Sequence, residues 1–281
     1  MTCSNSWKHL VGFAPSIVLT AVIAPSTVLT PPAAAQETHG HEQEAAHHVG
    51  LHFSHPLVTE SVSPDTKLRL NVAEVWGSDA NESEVELEAE YAFHRSFSVE
   101  LSAPYAVVDP EGGASASALS NIEVALKFGN FAFEDHGLLL GYGVEFGLPT
   151  GSAAEGIGSE HLWEAAPFLN LGYKRDRIEL VSFSIFGIPF NQDVDEEVET
   201  EFSYDLSGLV HLAPQLQAMM ELNGKTVLSG AGAGGNQTRL SPGLKIAPSG
   251  RVPLFVGVGM TVPLTGHELD VAARVSLFYH F

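Results

Sequence analysis

The chain has 281 residues, 44% of them hydrophobic, yet its 34 acidic side chains face only 13 lysines and arginines, for a formal net charge of -21. An acidic excess of that size repels phosphate backbones and excludes nucleic acid as a partner. The single cysteine, Cys3, lies in a leader expected to be removed, so the mature chain needs no disulfide in an oxidising compartment.

Lys8 and His9 precede an apolar run from Leu10 to Ala24, and Ala33-Ala34-Ala35 fits a small-residue cleavage site before Gln36. The run contains Pro15 and falls short of the roughly 20 residues of a membrane-spanning helix. Residues 1–35 therefore read as a secretory signal peptide. No later stretch is apolar enough for a spanning helix, which leaves a secreted, periplasmic or outer-membrane barrel protein.

Residues 36–64 form a polar, histidine-rich segment. His39, His41, His47, His48, His52 and His55 lie there with Glu37, Glu42 and Glu44, a donor set that suits zinc, copper or nickel. The segment has no cysteine and no regular ligand spacing on a helix. It reads as a solvated arm, with any metal held weakly and exchangeably; no other cofactor is expected.

From Thr66 the pattern changes to twelve alternating segments separated by Gly, Pro, Asp and Asn clusters. The first runs from Thr66 to Trp76. In the second, Glu84, Glu86, Glu88 and Glu90 alternate with Val85, Leu87, Ala89 and Tyr91. The third spans about Ser96–Tyr105, the fourth Asn121–Phe131 and the fifth Gly137–Pro149. The sixth covers about Leu162–Tyr173, the seventh Arg177–Pro189 and the eighth Glu201–Leu212. The ninth lies near Gln215–Gly224, the tenth at Thr238–Pro248 and the eleventh at Val252–Leu264. The twelfth ends the chain, with Phe281, Tyr279, Leu277, Val275 and Ala273 on one face.

Segments of about 10 to 12 residues match tilted membrane-crossing strands and exceed the usual soluble strand. Aromatic residues fall near their ends, at Trp76, Tyr91, Tyr105, Phe131, Trp163, Tyr173, Phe202, Tyr279 and Phe281. Short connections, such as His94-Arg95 and Arg175-Asp176, alternate with long polar ones at Asp109–Ser117, Gly151–Glu160, Asn191–Glu201 and Thr226–Asn236. These features predict an all-β fold: a transmembrane antiparallel up-and-down β-barrel of twelve strands over residues 65–281, in the outer membrane of a Gram-negative cell.

The stretches "NIEVALKFGNF", "GYGVEFGLPTGS" and "GLKIAPSGRVPLFVGVGMTVPL" resemble the MetA-pathway-of-phenol-degradation family of outer-membrane β-barrel transporters, most closely at Gly147-Leu148-Pro149-Thr150-Gly151. The resemblance implies a barrel that passes small molecules. The terminal pattern Val275, Leu277, Tyr279, Phe281 likewise resembles the signal read by the barrel-assembly machinery, a partner expected together with the lipid bilayer and a small-molecule solute.

Alternation assigns a set of charged residues to the lumen: Glu84, Glu86, Glu88, Glu90, Glu100, Glu123, Lys127, Glu145, Asp205, Glu221, Arg239, Lys245 and Arg274. Their acidic balance favours small cations, and the family resemblance admits small hydrophobic solutes. Two alternatives stand beside a channel: a closed structural or ligand-binding barrel, because side chains can fill a lumen of this size, and a metal-handling surface protein using the histidine-rich arm. No catalytic constellation emerges. His94, His136, His161, His211 and His267 are scattered, and the Ser, Glu and His around Gly151–Glu164 lack a nucleophile elbow. The chain is not expected to be an enzyme.

Overall fold

The computed structural model describes residues 51–77, 79–191, 199–230, 232–248, 252–265 and 271–281. The signal peptide, His39, His41, His47, His48 and His267 lie outside the described residues.

The strands are β1 (Lys67–Trp76), β2 (Ala80–His94), β3 (Phe97–Pro110), β4 (Ala116–Leu119), β5 (Glu123–Asn130), β6 (Leu138–Gly147), β7 (Glu164–Arg175), β8 (Ile178–Pro189), β9 (Thr200–Ala213), β10 (Leu216–Ser229), β11 (Asn236–Ile246), β12 (Leu254–Thr265) and β13 (Val271–His280). A short 3-10 turn, Glu134–His136, joins β5 to β6. β13 returns to pair with β1, from Lys67↔His280 to Trp76↔Val271. The sheet therefore closes on itself, with the short β4, paired to β3 alone, as the end of the strand order. β4 pairs with Tyr105–Val108 and β5 with Phe97–Ser102 of the same strand, β3. The two share one position in the wall, so the barrel is twelve-stranded, as the period-two pattern predicts.

Pairing fixes which side chains share a face. Leu68, Val72, Val85, Leu87, Leu101, Leu169, Leu171, Leu206, Val258 and Val275 are exposed outward, forming an apolar surface that nothing among the described residues covers. An unbroken ring contact runs around part of this surface near the short turns, Tyr91 to Phe93, Phe97, Phe128 and Tyr142, with centroids 4.8, 5.8, 4.9 and 5.6 Å apart. Such a girdle suits a membrane interface.

Three expectations change. Phe131 does not join the girdle; it packs inward against a cluster built on Phe53 and Val62 and lies beneath the Arg95 guanidinium. The connection expected over Thr226–Asn236 is shorter, because β10 runs on to Ser229. The loop expected over Asp109–Ser117 shrinks because β3 and β4 extend into it.

The largest departure concerns the N-terminal segment. Residues 51–65 are not a solvated arm. They lie in the lumen, with Phe53, Thr59 and Val62 completely buried and His55, Leu57, Ser61, Ser63 and Asp65 nearly so. Composition alone missed this because the segment's apolar residues follow no strand or helix period. They are anchors placed one at a time.

Candidate functional site: the lumen and the segment inside it

An irregular segment in a lumen must find partners for every buried N–H and C=O, or lose the stability that each unpaired group costs. Here the wall supplies them. Glu221 of β10 accepts hydrogen bonds from the amides of Leu57 (2.9 Å), Val58 (3.2 Å) and Thr59 (2.8 Å), and from Ser207 Oγ at 2.8 Å. Glu179 of β8 accepts from the Ser54 amide at 2.7 Å and is held by Lys174 (3.0 Å) and His211 (2.7 Å). Glu90 accepts from the Asp65 amide. The segment's carbonyls receive donors in turn: Arg69 to Leu57, Lys174 to His52, Asn170 to Glu60 and Lys245 to His55.

Two apolar anchors complete the docking. Phe53 and Val62 pack with Leu139 and Val181. Leu57 packs with Leu209, Met219 and Phe278. Phe278 is the one large apolar residue on the face it shares with His280, Ser276 and Arg274 in the last strand, and this contact explains it. Glycines make the room: a Cβ at Gly172 would lie 2.6 Å from the Phe53 ring and 2.7 Å from Val62, while Leu57 occupies the space that a side chain at Gly243 or Gly259 would need.

The glutamate row of β2 faces the polar row of β1 in register: Glu90 opposite Lys67, Glu88 opposite Arg69, Glu86 opposite Asn71 and Glu84 opposite Ala73. Lys67 Nζ lies 2.6 Å from Glu88, 3.1 Å from Glu90, 3.4 Å from Glu100 and 3.6 Å from Glu60. Lys127 Nζ lies 2.5 Å from Glu60, 3.3 Å from Glu90 and 3.4 Å from Glu100. Both lysines are fully buried. Two ammonium groups thus hold four carboxylates together, and one of the four, Glu60, belongs to the segment.

Above this packed layer, toward the long loops, the lumen keeps a cavity of about 370 Å³. Val58 and Glu60 of the segment border it. Its walls carry Glu84, Glu86, Glu88, Glu100, Glu123, Glu145, Asp205 and Arg274 from the sequence-derived set, with Arg69 and Asn71 added. Glu90, Lys127, Glu221 and Lys245 lie lower, against the segment. Lys245 sits between the rings of Phe255 and Phe278, at 4.7 and 4.5 Å. Arg239 pairs with Asn223 on the lumen face and donates to Gln237. Val275, Leu277, Tyr279 and Phe281 are exposed on the outer face.

His52 and His55, expected on a free arm, meet Asp65 and His280 at the short-turn end of the lumen. Burial holds the His55 imidazole well below the usual histidine range, and the Lys67 ammonium pushes the same way. Burial would raise the Asp65 carboxyl, but hydrogen bonds from His280, His52 and His55 hold it far below the usual carboxylate range.

Sequence reasoning missed Glu60, Asp65, Glu179, Asn170, Ser207 and His280. Glu179 and Ser207 sit on polar faces of their strands, so alternation could have found them. Glu60 and Asp65 carry no periodic signal, because the segment follows the wall's side chains rather than a repeat.

No protein-family model matches the chain, and no curated protein matches it in sequence. Solved structures do match in shape. An outer-membrane channel from Pseudomonas putida F1 aligns over 82% of this chain and all of its own length, with a TM-score of 0.62 at 11% identity. The NanC porin aligns over 75% of this chain and all of its own, with a TM-score of 0.52 at 7% identity. The translocator domain of the autotransporter NalP from Neisseria meningitidis covers 78% of this chain and 89% of its own, with a TM-score of 0.51 at 8% identity. In fold, the chain is a closed twelve-stranded antiparallel barrel of the outer-membrane type.

Proposed function

We propose that the protein is an outer-membrane channel for small solutes, favouring cations, that its own N-terminal segment holds shut. The observation that carries this reading is how the segment is attached. It is bonded to the wall through side chains and inserted apolar anchors, while the barrel closes independently through β1 and β13. The segment can therefore leave without breaking the sheet. Short turns and both described ends of the chain share one end of the barrel, which in such barrels faces the periplasm. The segment then plugs the periplasmic half, and the acidic cavity lies toward the outside. The outward face of β13 serves barrel assembly, and the apolar surface faces lipid. The likeness to outer-membrane channels supports this use of the fold.

A barrel that is permanently closed, structural or ligand-binding, is the competing reading, and the dense packing around the segment is what favours it. Selectivity is tested on a form lacking residues 36–63. With Glu60 removed along with the segment, seven carboxylates still face two guanidinium groups around the cavity, so a KCl gradient should give a reversal potential of the cation-selective sign. Among the described residues Glu123 and Glu145 form no ion pair, and Glu123→Lys with Glu145→Lys should drive that potential toward zero or past it. Anion preference in the starting form, or a potential unmoved by the double reversal, would contradict the acidic pathway.

A further inference from the structure

Three imidazoles and one carboxylate converge where the segment joins the wall. His280 Nδ1 lies 2.8 Å, His55 Nε2 2.9 Å and His52 Nε2 3.4 Å from the same oxygen, Asp65 Oδ2. Ligand atoms of His52, His55 and Asp65 all fall within 4.8 Å of one another. A carboxylate oxygen offers two lone pairs, so three ring nitrogens within hydrogen-bond reach of one oxygen crowd it. A cation among them, bound by deprotonated ring nitrogens and the carboxylate, relieves that crowding. Three nitrogens and one oxygen are the kind of donor set that zinc and its neighbours take, with His52, His55 and Asp65 already gathered and His280 reaching Asp65 from the last strand.

The surroundings are built rather than incidental. His55 is 1% and Asp65 7% exposed. The second Asp65 oxygen accepts from the Thr66 amide at 2.7 Å, and the Asp65 amide donates to Glu90 at 3.0 Å, so the carboxylate is oriented from behind. The other nitrogen of His55 lies 3.4 Å from Lys67 Nζ. A metal-bound ring keeps its proton on that nitrogen, so loading moves the ammonium fully onto Glu88, already 2.6 Å away.

We propose that His52, His55, Asp65 and His280 bind one divalent transition-metal cation of the zinc and cobalt class, and that the ion pins the N-terminal segment to the last strand of the barrel. Two ligands come from the segment, one from its junction with β1 and one from β13, so a bound ion cross-links the plug to the seam where the barrel closes. The metal site does not depend on the channel reading; only its consequence for opening rests on it.

The test is a Co²⁺ titration of the folded mature chain in detergent, read by visible absorption. The expected result is one equivalent with the intense bands of tetrahedral cobalt, bleached by Zn²⁺. A form lacking residues 36–50 should keep the bands, which separates this site from His39, His41, His47 and His48. Asp65→Asn and His280→Ala should each weaken binding by roughly tenfold or more, since even supporting partners typically cost that much. His280→Gln serves as a second variant, and heat-modifiable gel mobility verifies that each is a folded barrel. Absence of the bands, or bands lost with residues 36–50 but kept in Asp65→Asn and His280→Ala, would overturn the site. Hydrogen exchange at the Leu57–Thr59 amides should slow on Zn²⁺ addition; unchanged exchange in the loaded protein would overturn the pinning.

Discussion

Glu221→Ala is expected to release the N-terminal segment and convert a closed barrel into a conducting one. Glu221 is fully buried and gathers the amides of Leu57, Val58 and Thr59 with the Ser207 hydroxyl. Hydrogen bonds to a charged acceptor contribute about 1.5–3 kcal/mol each, and stranded buried donors cost a comparable amount. Water entering from the cavity recovers part of the loss, leaving about 3–4 kcal/mol. At about 1.4 kcal/mol per decade, that moves the closed-to-open ratio by two to three decades. Open probability in a planar bilayer reads this directly. Glu221→Gln keeps one carbonyl oxygen and should fall between the two. The sheet itself loses no pairing, so heat-modifiable mobility should persist. An open probability equal to that of the parent would mean that the segment is not held at Glu221.

Lys127→Met is expected to cause the largest loss of stability. Its ammonium is buried and lies within 3.4 Å of Glu60, Glu90 and Glu100. Removing one partner of a buried ionic cluster strands the others and typically costs about 3–5 kcal/mol. Lys67 cannot replace it, since it already faces the same three carboxylates and Glu88. The midpoint for loss of the folded form in urea should fall accordingly, and Lys127→Arg, which keeps the charge, should lose less. Adding Glu60→Gln to Lys127→Met should recover part of the deficit, because it removes one stranded charge. Strict additivity in that double-mutant cycle would contradict the direct pairing.

The wall was legible in the sequence and the plug was not, for physical reasons. Strands in a closed barrel repeat every two residues and face lipid on one side, so Val85, Leu87 and Tyr91 against Glu84, Glu86 and Glu88 betray β2 without any structure. The same alternation assigned Glu221, Lys127 and Lys245 to the interior. What it could not supply was their use. A row of inward carboxylates reads equally as a wet pore wall and as acceptors for a segment that lacks its own ladder. The segment has no period because its amides bond to side chains of distant strands, Leu57 to Glu221 and Ser54 to Glu179. Three local signs were present all the same. Phe53, Leu57 and Val62 are poor choices for a solvated arm, Phe278 breaks the polar face of the last strand, and Gly243, Gly257 and Gly259 stand in two neighbouring strands where their Cβ positions meet Leu57. Each becomes meaningful only when the segment is brought inside.

The most direct test of the closed lumen is single-channel conductance of the refolded mature protein beside the form lacking residues 36–63, each verified as a folded barrel by heat-modifiable mobility. The parent should be silent or open only briefly. The shortened form should give long-lived, cation-preferring steps, because the layer filled by Phe53, Leu57 and Val62 becomes water. Equal silence in both forms would contradict the account and leave a barrel whose wall side chains alone close it.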